Sequence, residues 1–179
     1  NVHVLDLDPV VLDHLEQRFG ASITTITSNG TTIEEEVLQA DLVIGAVLVA
    51  GAKAPKLVTA DIIGRMKPGS VVVDVAIDQG GCFETSRPTT HAEPTFVVDE
   101  VVHYCVANMP GVVPQTSTRA LNDATLPRVV LLADRGLDAL RSDPHLRRGL
   151  NVHKGMVTEA EVAASIGVEY VSAEVALGI

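Results

Sequence analysis

The chain has 179 residues, 13 basic against 23 acidic side chains and a formal charge of −10; 46% of it is apolar and 3% aromatic, with no Trp. An acidic balance without a Lys/Arg cluster or an aromatic stacking platform excludes nucleic acid and anionic membrane surfaces as partners, and the short, interrupted apolar runs fall far below the ~20 residues of a membrane span. Two cysteines, Cys82 and Cys105, without CxxC spacing, and no opening signal peptide describe a cytoplasmic protein with reduced thiols and no disulfide framework or zinc site.

In chain order, Asn1-Val2-His3-Val4-Leu5-Asp6-Leu7-Asp8-Pro9 reads as an apolar strand ending in acid. A helix start follows, with Asp8 as N-cap and Pro9 at the first helical position, where a missing N–H costs nothing. Val10, Leu12, Leu15 and Phe19 supply a helical stripe up to Gly20. The unit recurs. A strand near residues 22–26 leads to a helix starting at Thr31 or Thr32, with Glu34 or Glu35 completing a capping box, and then to a buried strand at 41–46. Thr59 caps a helix that stops before Pro68-Gly69, and 70–77 is a β-rich run. Helices alternating with nearly continuous apolar strands predict a parallel sheet covered on both faces.

Beyond Asp78 the rhythm changes. Residues 78–98 are rich in Gly, Pro, Thr and polar side chains and read as a loop closing on a strand at Thr95–Val98, with another strand at 104–107. After Pro110 and Pro114, the apolar residues Ala120, Leu121, Ala124, Val129, Leu132, Ala133, Leu137 and Leu140 recur at helical spacing. They predict one long helix from Thr116, kinked at Pro127. A last helix opens on a capping box from Thr158 to Glu161 and ends at Gly167, with a strand at 168–171. The six histidines (His3, His14, His91, His103, His145 and His153) lack ligand spacing, so they read as surface or packing residues and no metal site is expected.

Two carboxylates stand where α/β sheets keep their ligands. Asp6 ends the first strand, the place where a dinucleotide fold puts its ribose ligand; on position alone, a ribose ligand and a plain acidic strand end both fit. The glycine-rich phosphate turn that should lie ~20 residues earlier has no counterpart, since five residues precede Asp6 and no later stretch has the G-x-G-x-x-G spacing. The fold is therefore read as entered at its second strand, with an upstream part missing. Asp78, in Asp78-Gln79-Gly80-Gly81-Cys82, follows the run through Ile77 and would lie at a carboxyl strand end, beside glycines that let a ring approach the backbone. In a partly desolvated crevice it could exchange protons with an amine or carbinol; a simple turn cap fits the position equally. Asp74 reads as a buried acid with a structural partner, on the same strand face as Asp78.

Together these residues resemble the carboxyl-terminal half of the alanine dehydrogenase family. The resemblance is carried by Asp41-Leu42-Val43-Ile44-Gly45-Ala46-Val47-Leu48-Val49, Gly51-Ala52-Lys53-Ala54-Pro55-Lys56-Leu57-Val58 and Asp74-Val75-Ala76-Ile77-Asp78-Gln79-Gly80-Gly81-Cys82-Phe83-Glu84. It extends through Ser86-Arg87-Pro88-Thr89-Thr90, Tyr104-Cys105-Val106-Ala107-Asn108-Met109-Pro110 and Thr116-Ser117-Thr118, and loosens over the last thirty or so residues. It implies a Rossmann-type, doubly wound parallel sheet, present in part, over 1–114, and a crossover helix with the return of a substrate domain over 115–179.

The resemblance also implies residue roles. Asp6 would hold the adenosine ribose and Ser28 the adenine side; Val47 and Leu48 would flank the cofactor; Val75, Ala76, Ile77 and Asp78 would line its nicotinamide end. Arg87 would add a cofactor contact, and Val106, Ala107, Asn108 and Met109 would close the nicotinamide pocket. Asp78 would be the catalytic acid. One position departs: some members carry a Lys just past Asp6, where this chain has Val10 and Val11, which bears on adenosine-side affinity and not on the reaction. Asp6 would repel a 2′-phosphate, and the first Arg after it is Arg18, so the cofactor is expected to be NAD and not NADP.

The implied reaction is reversible oxidative deamination of L-alanine to pyruvate and ammonia, in a homohexamer. The family's catalytic His and its substrate-carboxylate Arg and Lys belong to the amino-terminal half, so this chain alone is expected not to turn over alanine. The competing readings are the NAD(H)-binding subunit of a nicotinamide nucleotide transhydrogenase and a non-catalytic nucleotide-binding module.

Overall fold

A computed structural model describes residues 1–47, 49 and 53–179. The chain forms two compact units, one of residues 1–47 and 53–109, the other of Pro110–Ile179 with Val49.

In the first unit, β1 (His3–Asp6) pairs in parallel with β2 (Thr24–Thr27), Asp6 opposite Thr27. Between them runs α1 (Pro9–Phe19), started as expected: Asp8 accepts from the Val10 N–H at 2.8 Å and Pro9 occupies the first turn. The next helix, α2 (Gly30–Gln39), starts one or two residues before the expected position. Asn29 accepts from the Thr32 N–H at 3.0 Å while the Thr32 hydroxyl accepts from the Asn29 N–H at 2.9 Å, so a threonine completes the box expected of Glu34 or Glu35.

The second sheet has the order β3-β4-β6-β5, built from β3 (Leu42–Gly45), β4 (Val71–Asp74), β5 (Thr95–Val98) and β6 (Val101–Tyr104). β3, β4 and β6 are parallel, and β5 is antiparallel to β6. The strand expected at 104–107 lies three residues earlier, because Asp99 (φ 48°) and Glu100 (φ 62°) close a two-residue hairpin that reverses the chain after β5. α3 (Ala60–Gly64) is capped by Thr59, whose hydroxyl accepts from the Ile62 N–H at 3.3 Å.

The core of this unit joins Ile33 and Val37 of α2, Ile62 and Ile63 of α3, Val72 of β4 and Phe83. Full burial of each aliphatic or aromatic side chain contributes about 1.5–3 kcal/mol. Leu5 of β1 and Val43 of β3 pack on the same cluster. The expected cover on both faces is not uniform: along β3, Leu42 and Ile44 are exposed while Val43 packs on the core.

In the second unit the expected single long helix is two, α4 (Pro114–Arg135) and α5 (Leu137–Ser142). Pro127 lies inside α4, and the break falls at Gly136, whose φ of 53° a helix does not accommodate. α6 (Pro144–Arg147) follows, its N-cap Asp143 accepting from the His145 and Leu146 N–H groups at 2.8 and 3.1 Å. These bonds hold the Asp143 carboxyl below its usual value. A hairpin of β7 (Val152–His153) and β8 (Met156–Val157) turns through Lys154 (φ 50°) and Gly155 (φ 81°). α7 (Ala160–Ile166) is capped by Glu159, which accepts from the Val162 N–H at 2.9 Å, and not by Thr158, whose hydroxyl bonds the Leu150 carbonyl. The strand expected at 168–171 is a single bridge from Tyr170 to Val157, followed by α8 (Ala173–Leu177). Ala139, Leu140, Ala163 and Leu177 are this unit's buried apolar residues. Among the described residues no helix is long and apolar enough to cross a membrane.

Candidate functional site

Parallel pairing brings the carboxyl ends of neighbouring strands to one edge, where open α/β sheets bind ligands. β3 and β4 meet there with Gly45 opposite Asp74. The sequence predicts extended chain through Ile77, but β4 stops at Asp74 and Val75–Gln79 coils into a 3-10 turn that ends at Gly80 with φ 93°. The parity argument that put Asp74 and Asp78 on one strand face therefore fails.

The Asp74 side chain bonds across this turn. Its Oδ2 accepts from the Cys82 N–H at 3.0 Å, the Phe83 N–H at 3.4 Å and the Ser86 hydroxyl at 2.5 Å, and its Oδ1 from the Cys82 thiol at 3.7 Å. Hydrogen bonds to a carboxylate are among the stronger ones, and they stand where Val75 and Ile77 depart from their β preference. On the outer side of the same loop, the Lys56 ammonium donates to the carbonyls of Gly80 at 2.6 Å and Phe83 at 3.0 Å. The backbone of 54–58 adds bonds from the Ala54 N–H to Gln79 O at 2.9 Å and from the Leu57 N–H to Cys82 O at 2.8 Å.

A cavity of about 410 Å³ opens at this edge, lined by Ala46, Val47, Val75, Ala76, Asp78 and Gln79. Four of the site residues named from the sequence, Val47, Val75, Ala76 and Asp78, thus come together. Ile77 turns the other way, 4% exposed, and Leu48 lies outside the described residues. Asp78 lines this cavity and is exposed among the described residues. Ala46 and Gln79 were missed as lining residues. Ala46 directly precedes Val47 and Gln79 directly follows Asp78, so adjacency was the available signal.

The remaining candidates lie elsewhere in the first unit. Asp6 and Ser28 adjoin at the carboxyl ends of β1 and β2, the Ser28 N–H donating to the Asp6 carbonyl at 2.9 Å and the Asp6 carboxylate accepting from the Asp8 N–H at 2.8 Å. Arg87 is exposed, its guanidinium 4.1 Å from the centre of the Phe96 ring, a cation–π contact. Val106 is wholly buried and bridged to Thr89, while Ala107 and Asn108 are exposed and Met109 half-buried. Asn108 sits at φ 59° with its carbonyl 3.1 Å from the His91 ring nitrogen. Among the described residues no group of three His, Cys, Asp or Glu is placed to hold a metal ion.

Besides Asp74, the buried titratable groups Cys82, Cys105 and His103 lie beside the site. Burial first, and then the Asp74 carboxylate, push the Cys82 thiol up to about 12, and burial also raises Cys105. Both are thus protonated donors at neutral pH, Cys105 to the Ser86 oxygen at 3.7 Å. His103 accepts the Thr85 hydroxyl at Nε2 (2.7 Å), donates Nδ1–H to the Val101 carbonyl (3.0 Å) and stacks on Phe96 at 4.9 Å. Burial lowers its pKa from 6.5 against the opposing pull of the Val101 carbonyl and of Asp74 and Asp99. A depressed folded-state pKa means that the neutral ring contributes stability above the unfolded value, and that this stability is lost as pH falls through the folded value. Nitrogen-15 spectra at pH 6.5 are expected to show His103 less than half protonated, with the proton of its neutral form on Nδ1, and urea unfolding midpoints to fall as pH drops below 6.5. A ring half-protonated at or above that pH would contradict the assignment.

Against known proteins, residues 1–160 match the family model described as "Alanine dehydrogenase/PNT, C-terminal domain". The chain is 59% identical over 178 residues to an alanine dehydrogenase of Halomonas elongata and 55% identical over 179 residues to one of Staphylococcus haemolyticus, covering 99% of this chain and 48% of each relative. A solved L-alanine dehydrogenase superposes with a TM-score of 0.82 at 49% identity over 93% of this chain and 46% of that one. A transhydrogenase from Sinorhizobium meliloti fits less well, with a TM-score of 0.52 at 29% identity over 60% of this chain and 30% of that one. The chain spans about half the length of the curated relatives it matches, and, with the matched model covering most of it and the Rossmann-like sheet as its frame, it belongs to the alanine dehydrogenase/PNT C-terminal-domain family.

Proposed function

We propose that this chain supplies the cofactor-binding part of an NAD-dependent L-alanine dehydrogenase, in a longer cytoplasmic protein that assembles as a homohexamer. Residues 1–114 act as the nucleotide-binding domain in part, and 115–179 as a crossover helix and the return of a substrate domain. The observation that carries the reading is the cavity at the carboxyl ends of β3 and β4, with apolar walls at Ala46, Val47, Val75 and Ala76 and the Asp78 carboxylate in its lining.

Those residues suit a nicotinamide: apolar walls accept a flat ring, and the polar groups of Asp78 and Gln79 offer partners at its edge. NAD, when bound, supplies the hydride acceptor. The side chains of Val47, Val75 and Ala76 would hold the ring and keep water from its face, with Ile77 and Val106, whose side chains are buried, contributing through their backbones and Ala107, Asn108, Met109 and Arg87 adding contacts. Asp6 would accept hydrogen bonds from the adenosine ribose, with Ser28 beside it. Asp78 would take and return a proton at its carboxylate as the substrate nitrogen and the attacking water change protonation between L-alanine and pyruvate plus ammonia.

The test is NADH formation by the full-length protein with L-alanine, against glycine, serine, glutamate and no substrate. Alanine-dependent NADH supports the reading, and cofactor binding without NADH from any amino acid would replace it with a transhydrogenase subunit or a binding module.

A further inference from the structure

Asp74 is wholly buried, yet among the described residues no Lys or Arg forms an ion pair with it; its acceptor capacity is used by the Cys82 and Phe83 N–H groups, the Ser86 hydroxyl and the Cys82 thiol. Taking a carboxylate out of water is expensive unless donors replace the lost hydration. Here every donor comes from one short loop. Backbone and side chain of the same residue thereby hold both ends of the turn: Asp74 leads into Val75–Gln79 through its carbonyl end and grips Cys82, eight positions on, through its carboxylate. Asp78 lies halfway round that closed ring, together with three of the other residues that line the cavity.

The glycines show how tightly the ring is drawn. A Cβ on Gly81 would stand 2.5 Å from Asp74 Oδ2 and 3.0 Å from the Ser86 Cβ, at a φ of 77°, so only glycine lets the backbone pass this close to the carboxylate. Lys56 closes the outer side through the carbonyls of Gly80 and Phe83. The loop is held by a buried anion on its N–H side and a cation on its carbonyl side, and the turn carrying Asp78 is suspended between them.

We propose that Asp74 is a positioning residue for Asp78: its buried carboxylate sets the 75–79 turn, and so fixes where the Asp78 carboxylate and the Val75, Ala76 and Gln79 walls stand relative to a bound cofactor ring. This rests on the dehydrogenase reading above. A purely structural acid would stabilise the whole unit without singling out the turn. A positioning acid, once removed, leaves a folded protein whose turn wanders, and a misplacement near 1 Å costs about 10²-fold in rate.

The experiment compares Asp74→Ala and Asp74→Asn with the parent in the full-length protein, reading amide hydrogen exchange along residues 70–90 as well as kcat and KM for L-alanine. Asparagine keeps one oxygen to accept from the Cys82, Phe83 and Ser86 donors and so keeps the hold on the turn that alanine removes. In Asp74→Ala, exchange is expected to quicken at least about tenfold over 75–83 while β3 and β6 stay protected. Its kcat should fall about 10²-fold with KM changed less than about threefold, and Asp74→Asn should recover most of both. A folded Asp74→Ala protein with kcat within about threefold of the parent, or exchange that quickens evenly over the whole unit in both variants, would overturn the proposal. If the parent makes no NADH from L-alanine, the dehydrogenase reading falls, and local against even exchange still decides whether Asp74 sets the turn.

Discussion

Asp78→Ala is expected to lower NADH formation from L-alanine by about 10²–10⁴-fold, the usual contribution of one positioned acid–base group. The side chain lines the β3–β4 edge cavity and is exposed, so its removal leaves neither a buried void nor an orphaned partner, and the melting temperature should move little. That separates it from its neighbours. Ile77, one residue earlier, is in the core, and truncating it would lower activity through stability. KM for L-alanine in Asp78→Ala should stay near the parent's, because a proton carrier acts in the transition state more than in ground-state binding. Cofactor affinity, read by NADH fluorescence titration, should fall by less than about tenfold, since Val47, Val75 and Ala76 remain. Turnover within about threefold of the parent would remove Asp78 from the chemistry and move the proton to another group.

Where the sequence was legible, the deciding interaction was local. Asp8-Pro9 starts α1 through a bond between neighbours, and Thr59 caps α3 three residues on. Where it was not, a distant partner or an uncommon backbone state decided. Val75 and Ile77 extend an apolar run that reads as strand, and nothing within it says that Asp74 will grip Cys82 and coil the chain. The β5–β6 turn uses Asp99 and Glu100 at positive φ, without the Asn-Gly or Asp-Gly pair that marks such hairpins, so the sequence pattern places β6 three residues late. The helical spacing from Ala120 to Leu140 runs through Gly136 without a fault, and periodicity alone does not reveal a chain break. At the cavity, Asp78 stands out from its strand-end position and Val47, Val75 and Ala76 from the resemblance, whereas Gln79 and Ala46 are marked only by adjacency to those residues. Val106 illustrates the limit of transferring a role by position: its side chain is fully buried, so a contribution there would have to come from its backbone.

Gly45→Ala should be a strongly damaging single-methyl addition in the first unit. Its Cβ would come 2.2 Å from the Cys82 sulfur and 2.7 Å from Phe83 Cε2, and both neighbours are buried in the core, Phe83 wholly so. Neither has solvent to retreat into. Cys82 is tied to Asp74 through both its N–H and its thiol, and Phe83 is fixed by the parallel bridge to Val58 and by the Lys56 bond to its carbonyl. Overpacking of this kind costs about 1–3 kcal/mol and sometimes more, and two immobile neighbours put Gly45 at the upper end. For a chain of this size that lowers Tm by about 6–12 °C, out of a total stability of about 5–15 kcal/mol. Gly64→Ala is the control: at the end of α3 its added Cβ meets only Asp99 Oδ2 at 3.6 Å, ordinary contact, and the helix gains propensity, so its Tm should match or exceed the parent's. Phe83→Leu should recover part of the Gly45→Ala loss when the two are combined, although alone it destabilises, because contacting residues are not additive. If Gly45→Ala melted with the parent, Cys82 and Phe83 would have to withdraw freely, and the loop gripped by Asp74 would be too soft to hold Asp78 in one place.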